Sequence, residues 1–184
     1  NRKGILMKYI ALPLCLLLLG ACSDSSTQTP SKRTASSATQ AGASAAQPLN
    51  PECSEVMTGN HSMVYDKPEI NIDAGKCSEF TIVVRNIGYL PRNARGHNVV
   101  IAKDTDESAI LADGVDLGAK SDFLKPNDPR VITYTKLAGG GEEQRVTFKT
   151  NNFKQGNNYV YFCSFLGHHK MRGKVNVTYP SSSH

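Results

Sequence analysis

From Glu52 onward, apolar residues recur in short runs divided by turn formers. The runs are SEVMTGN, EINIDAG, EFTIVVRN, HNVVIAKD, RVITYTK, EQRVTFKT, NYVYFCSF and KVNVTYP. FTIVVRN and KVNVTY alternate apolar and polar positions with a period of two, which turns one face inward and one outward. YVYF is aromatic and β-branched, a composition enriched in strands. Eight such runs at this spacing predict an all-β sandwich. The pattern stops between Asp104 and Pro126, in DTDESAILADGVDLGAKSDFLKP. Ser108 to Ala112 predicts a helical turn or two there, an excursion off the sandwich.

The first 51 residues follow no such pattern. Residues 7–22, MKYIALPLCLLLLGAC, place a Lys before an apolar run and end on small residues and Cys22. The run from Tyr9 to Leu19 is too short to span a bilayer as a helix and fits a signal-peptide core, with Met7 the expected initiator and Cys15 inside the discarded part. Leu19-Gly20-Ala21-Cys22 resembles a bacterial lipobox, which implies that Cys22 becomes a lipid-bearing N-terminus. Ser23 after it favours the outer membrane on the same resemblance. Residues 23–50 are rich in Ser, Thr, Ala and Gln. Such a segment cannot bury enough apolar surface to offset its ordering entropy, so a disordered tether is expected, with a root-mean-square span of about 30 Å. The expected organisation is a signal peptide over 1–21, a lipidated tether over 22–51 and one domain over 52–184.

Composition narrows the function. The 184-residue chain has 21 Lys and Arg against 16 Asp and Glu, a formal charge of +5. Arg2, Lys3 and Lys8 lie in the part expected to be removed, so the mature excess is smaller by three. With no dense basic stripe either, nucleic-acid binding is not expected. No Ser-His-Asp or paired-carboxylate arrangement points to catalysis, so the chain does not read as an enzyme. Gly139-Gly140-Gly141 is expected in a hairpin-like turn rather than at a phosphate-binding strand-to-helix junction.

The chemistry concentrates in NNYVYFCSFLGHHKMRGKVN, beginning at Asn157. Cys163, His168 and Met171 stand in a C-x4-H-x2-M spacing, between two expected strands. A thiolate, an imidazole and a thioether form a soft ligand set that suits copper, especially Cu(I). A lone Cys-His pair also occurs as a zinc or purely structural feature, and a Met after it as packing. A mononuclear blue-copper site needs a second imidazole, and His97 in GHNVVIA, at the entrance of a strand, is the candidate. Cys53 and Cys77 remain. In an exported domain they suggest a disulfide closing a loop of about 25 residues, worth about 3–4 kcal/mol on the chain-entropy model. Neither has His or Cys at ligand spacing, which weakens the metal-ligand alternative.

Together, G-H-N at mid-domain, the early Cys pair and Y-F-C-S-F-x-G-H-x2-M-x-G resemble the azurins. NARGHN, DFLKPNDPRVITYTKLAGGGEEQRVTF and YFCSFLGHHKMRG sit in the family's order, over about residues 52–179. The resemblance, to a lipid-anchored azurin, implies a cupredoxin-like Greek-key β-sandwich with a short helical flap at 104–126, binding one copper. It implies His97, Cys163 and His168 as equatorial ligands, Met171 as a long axial ligand and the Gly96 carbonyl opposite it. Asn98 would tie the two ligand loops together, and the N–H groups of Asn98 and Phe165 would hydrogen-bond the thiolate. His168 is expected to reach the surface as the electron's exit, ringed by Leu90, Ala94, Arg95, Leu166 and Met63 as a partner surface. The implied function is single-electron transfer with c-type cytochromes or other periplasmic redox enzymes; copper handling or protection is the alternative, and a redox-independent interaction module on the tether a third. The implied place is the periplasmic side of the outer membrane, with the cell surface as the alternative.

The chain departs from the family at several positions. Two residues, His169 and Lys170, separate the loop His from Met171 where azurins usually have three. Leu166 stands for the usual Pro, Arg95 for an apolar residue, Asn86 for a pH-sensing His and Val99 for the core Trp of the best-known members. His169 reads as an exposed loop residue, and His61 and His184 as solvent-facing.

Overall fold

The computed structural model describes residues 48–181. The expected signal peptide, Cys22, all of the tether before residue 48, and His184 lie outside the described residues. Eight strands run in chain order: β1 (Ser54–Gly59), β2 (Glu69–Asp73), β3 (Glu79–Asn86), β4 (Val100–Lys103), β5 (Val131–Tyr134), β6 (Glu143–Lys149), β7 (Tyr159–Phe162) and β8 (Arg172–Thr178). Seven fall within one of the eight apolar runs, and β8 begins two residues before its run. Two short helices interrupt them, α1 (Arg92–Arg95) and α2 (Glu107–Gly114). The second is the expected flap; the first, inside a Pro- and Gly-bearing loop, was not expected.

The strands form two sheets, one ordered β1-β3-β6 and the other β2-β8-β7-β4-β5. β1 lies parallel to β3, and β2 parallel to β8, while the remaining pairs are antiparallel. This is the cupredoxin-like β-sandwich. Gly139–Gly141 form a tight turn, with Glu142 N–H donating to the Gly139 carbonyl at 2.9 Å. The turn is not a hairpin: the strands on either side, β5 and β6, belong to different sheets.

The main core sits between the sheets, on Met57, Ile70, Ile72, Phe80, Ile82, Val84, Val99, Ile101, Phe148 and Tyr161. A smaller cluster joins Val100, Ala102, Val160 and Phe162 to Ile110 of α2 and Leu124. β4 and β7 therefore bury both faces, the inner one in the sandwich and the outer one under the flap. That is why VVIA and YVYF read as continuous apolar runs rather than alternating ones.

Cys53 and Cys77 form a disulfide, with Cα atoms 5.6 Å apart and 24 positions apart in sequence. It ties the chain just ahead of β1 to the turn before β3. The Thr150 hydroxyl donates to the Cys77 carbonyl at 2.5 Å, which joins the same corner to the end of β6. This corner lies at the start of β1 and β3, whereas the ligand loops lie beyond their ends. Replacing both cysteines by Ala is expected to lower unfolding stability by about 3 kcal/mol, read as a shift of the urea midpoint. Metal binding at the far end should be retained.

Candidate metal centre

Strand pairing brings the predicted ligands together. β4 and β7 are antiparallel, with Val100 opposite Phe162. The residues just before β4 therefore lie beside those just after β7. β8 enters next to them, with Arg172 also opposite Phe162. The pairing continues into the loops: His97 and Ala138 exchange N–H···O bonds of 3.0 and 2.7 Å, and Cys163 N–H donates to the Met171 carbonyl at 2.9 Å.

The ligand atoms of His97, Cys163 and His168 all lie within 4.8 Å of one another. Cys163 Sγ is 3.5 Å from His168 Nδ1 and 4.0 Å from the Gly96 carbonyl oxygen. The two imidazoles stand 5.0 Å apart between ring centroids. Met171 is fully buried and its methyl faces the same cluster. A Cβ placed on Gly59 would lie 2.8 Å from His97 Cδ2 and 2.9 Å from Met171 Cε, so thioether and imidazole converge over that glycine.

The ligand loop is two successive turns. His168 N–H donates to the Phe165 carbonyl at 3.0 Å, and Met171 N–H to the His168 carbonyl at 2.8 Å. Gly167 has φ of +86°, which fits the third position of a type II turn and favours glycine. Leu166 takes the position before it, where Pro would also fit. The two-residue spacing between His168 and Met171 is that of one i to i+3 turn, which brings Met171 back under the cluster.

The electrostatics leave donor lone pairs looking for a cation. His97 Nε2–H donates to the Asn60 carbonyl at 3.1 Å. That bond fixes the tautomer and leaves Nδ1 as a bare lone pair. Nδ1 is buried and has no hydrogen-bond partner, a costly state for a polar atom unless something fills it. Burial lowers the pKa of His97. Burial, then the nearby His97 and Arg95, push His168 down to about 4. Both rings are thus neutral at pH 7. Burial pushes the Cys163 thiol up to about 11, against the N–H groups of Asn98 and Phe165 and the Tyr65 hydroxyl, which all favour the thiolate. A cation would supply the charge that water cannot. Structural zinc sites draw four donors from Cys, His and carboxylates; this pocket offers three of that kind, with a thioether and a carbonyl beside them, a set that fits copper.

A second layer holds the donors still. Asn98 Nδ2 donates to Ser164 Oγ at 2.8 Å, and Ser164 N–H to Asn98 Oδ1 at 3.0 Å, which clips the His97 and Cys163 loops together. Ser164 Oγ also donates to the Asp122 carbonyl. Asp122 in turn accepts from Leu137 N–H at 2.9 Å and Arg92 at 2.6 Å. Asn86 is buried, its Nδ2 donating to the Arg95 and Ala138 carbonyls. It is a fixed amide with no proton to titrate in this range.

His168 differs from expectation. It is 3% exposed, because the Phe165 ring stacks on it at 4.6 Å and the turn folds over it. The side chain that meets solvent there is Leu166, 60% exposed. Among the other expected surface residues Ala94 is exposed, while Leu90, Arg95 and Met63 are half-buried. Arg95 donates to the His61 carbonyl at 3.0 Å. His61 and His169 are exposed. Sequence reasoning missed Asn60, Ser164, Asp122 and Tyr65; none carries a local pattern, and only the meeting of distant loops gives each its role.

Two buried imidazoles and a buried thiol brought together on a β-sandwich define a mononuclear copper protein of the cupredoxin class. The chain belongs to the plastocyanin/azurin family of copper-binding proteins: the family described as "Copper binding proteins, plastocyanin/azurin family" matches residues 51–178. The azurin of Alcaligenes faecalis is 43% identical over 126 residues, covering 68% of this chain and 98% of that protein. An azurin of Pseudomonas aeruginosa is 40% identical over 130 residues, 70% of this chain and 87% of that protein. Among solved structures, an azurin from Methylomonas sp. strain J superposes with a TM-score of 0.65 at 36% identity, over 68% of this chain and 98% of that one.

The neutral, buried ligands set a pH dependence for the metal-free domain. The folded pKa of His168, about 4, lies below the unfolded value of about 6.5. Between those values the unfolded chain binds more protons, so stability falls as pH drops from about 6.5 towards 4. Denaturant titrations at stepped pH should show that loss. At pH 7 the Cys163 thiol keeps its proton in the metal-free site, so Cu(II) loading should release about one proton per ion, measurable in weakly buffered solution.

Proposed function

We propose that this domain is a periplasmic electron carrier, tethered to the outer membrane by lipid on Cys22, that passes single electrons between redox proteins. The enclosed, preformed cluster of His97, Cys163 and His168 carries the reading. When bound, copper supplies a one-electron Cu(I)/Cu(II) couple. The three residues would hold it, with Met171 and the Gly96 carbonyl as the longer contacts. Electron transfer is fast when the ligands need not rearrange between oxidation states. Here each ligand is fixed: His97 by Asn60, His168 by its turn and the Phe165 stack, Cys163 by the Asn98–Ser164 clip. His97, Cys163 and His168 are all buried, which supports a carrier reading over an enzyme.

Leu166, Ala94, Leu90 and Arg95 form the face through which a c-type cytochrome or other periplasmic redox protein would dock. Such encounters use small interfaces that release quickly. The tether of about 28 residues would let the domain search roughly 30 Å from its anchor.

Cu(II) added to the purified domain should give intense visible charge-transfer absorption. A folded, copper-loaded domain without it would favour copper handling and sink the carrier reading. Met171→Leu should keep the colour and shift the midpoint potential; an unchanged potential would mean the thioether is not a ligand.

Arg95 adds positive charge to the docking rim. An acidic partner would be steered by it, an effect on association rate that salt screens. Stopped-flow reduction by an acidic cytochrome should show a shallower ionic-strength dependence in Arg95→Ala than in the wild type. Identical slopes would remove Arg95 from docking.

A further inference from the structure

His97 has a short route to the surface that does not pass through the face over His168. Its Nε2–H donates to the Asn60 carbonyl at 3.1 Å. His61 follows Asn60 in the chain and is exposed. The His61 ring stacks on Tyr89, with centroids 4.8 Å apart and planes inclined by 18°, and the Tyr89 hydroxyl lies 3.4 Å from His61 Nε2. Tyr89, at 75%, and Ile87, at 63%, are the two most exposed large hydrophobic side chains among the described residues. Single apolar side chains on a surface are ordinary; here two share one short loop, and one of them stacks on the neighbour of a ligand's hydrogen-bond acceptor. The stack is also held in place. Ile87 N–H donates to the Gly59 carbonyl at 3.0 Å. A Cβ on Gly140 would lie 2.5 Å from Tyr89 Cα, so the Tyr89 main chain packs directly on that glycine. On the other side, Asn60 Oδ1 accepts from Ser62 N–H at 2.9 Å, and Arg95 donates to the His61 carbonyl at 3.0 Å.

We propose that the His61–Tyr89 stack is a second electron port, on the His97 side of the site, where an acidic redox protein docks the exposed edge of its haem. The inference rests on the copper-carrier reading. Electrons cross covalent and hydrogen bonds more readily than gaps of the same length. From the His61 ring the route runs through its own Cβ, Cα and N to the Asn60 carbonyl, then over one hydrogen bond to His97 Nε2. The face over His168 instead presents Leu166, an aliphatic side chain. The stack offers a flat aromatic surface to a planar cofactor, and its neighbour Arg95 sets the charge of the partner. None of the described salt bridges neutralises Arg95, so it is free to attract carboxylates and speed the encounter. Each transfer moves one electron: a ferrous haem becomes ferric as the site takes up the electron that it loses, within the Cu(II)/Cu(I) couple. The alternative is that the stack only props the 60–64 loop, which would leave partner binding and transfer rate untouched.

The probe is cytochrome c made acidic by succinylation of its lysines. Binding is read without net electron transfer, by NMR of the Cu(I)-loaded domain titrated with the ferrous cytochrome. Amide shifts should centre on residues 60–64 and 87–90. Tyr89→Ala should raise Kd about fivefold or more, the loss expected for an aromatic anchor. His61→Ala should lower the stopped-flow rate at which saturating ferrous cytochrome reduces the Cu(II)-loaded domain. Both side chains lie outside the ligand set, so visible absorption and midpoint potential should keep their wild-type values. Tyr134→Ala, which removes an exposed tyrosine from the edge strand β5, should change neither binding nor rate. Shifts centred on residues 165–169, or no shifts at all, would overturn the proposal and leave the carrier reading standing. Weaker binding in Tyr89→Ala with an unchanged saturating rate in His61→Ala would reduce the stack to a docking contact and overturn the port. A wild type that loads copper without intense visible absorption overturns the carrier reading, and this inference with it.

Discussion

The whole arrangement depends on the antiparallel pairing of β4 with β7. With Val100 opposite Phe162, the chain entering one strand and the chain leaving the other emerge side by side. His97 and Cys163 are 66 positions apart in sequence, yet this register makes them neighbours. A register slip of one residue would turn the side chains of a strand to its other face. Here such a slip would also expose Val99 and Ile101, or Tyr159 and Tyr161, to the wrong layer. The two-sided burial of these strands therefore fixes the site: the same apolar packing that stabilises the sandwich and the flap holds the ligand register.

Burial then does chemical work at that end of the fold. It removes charge from the two imidazoles and keeps the thiol protonated, so the cluster is neutral. Its imidazoles have little affinity for protons at pH 7, and His97 Nδ1 is left an orphaned lone pair. Its polar supports act on the backbone and on neighbouring loops rather than competing with the ligands. Asn98, Ser164, Asp122 and Asn86 each bond two or more segments, so the ligand loops behave as one body. Rigidity and burial come from the same packing, and both suit a site that changes charge without changing shape.

Much of this was legible in the chain. The eight apolar runs became eight strands because burial on one or both faces leaves a clear trace in residue order. The helical excursion announced itself by breaking that trace. Cys163, His168 and Met171 were visible because a single loop carries them, and His97 because a soft-ligand copper site demands a second imidazole. The helix at Arg92–Arg95 left no such trace, being too short for a periodic pattern and set in a loop rich in turn formers. Gly139–Gly141 looked like a hairpin because a tight turn has the same local chemistry whether it returns to its own sheet or crosses to the other. His168 was expected at the surface, and the Phe165 stack covered it instead.

The order of residues by itself determined the strand content and offered the disulfide pair and the candidate donors, since these leave a trace in composition, spacing and local chemistry. Only the folded chain decided that Asn60 would choose the tautomer of His97, that Asn98 would clip two loops, and that the Tyr65 hydroxyl would bond the Asn98 carbonyl. Those contacts join segments tens of residues apart. Their partners are single polar groups with no periodicity of their own, so no pattern along the chain can encode them, and they exist only where the packing of two sheets brings the loops to one end.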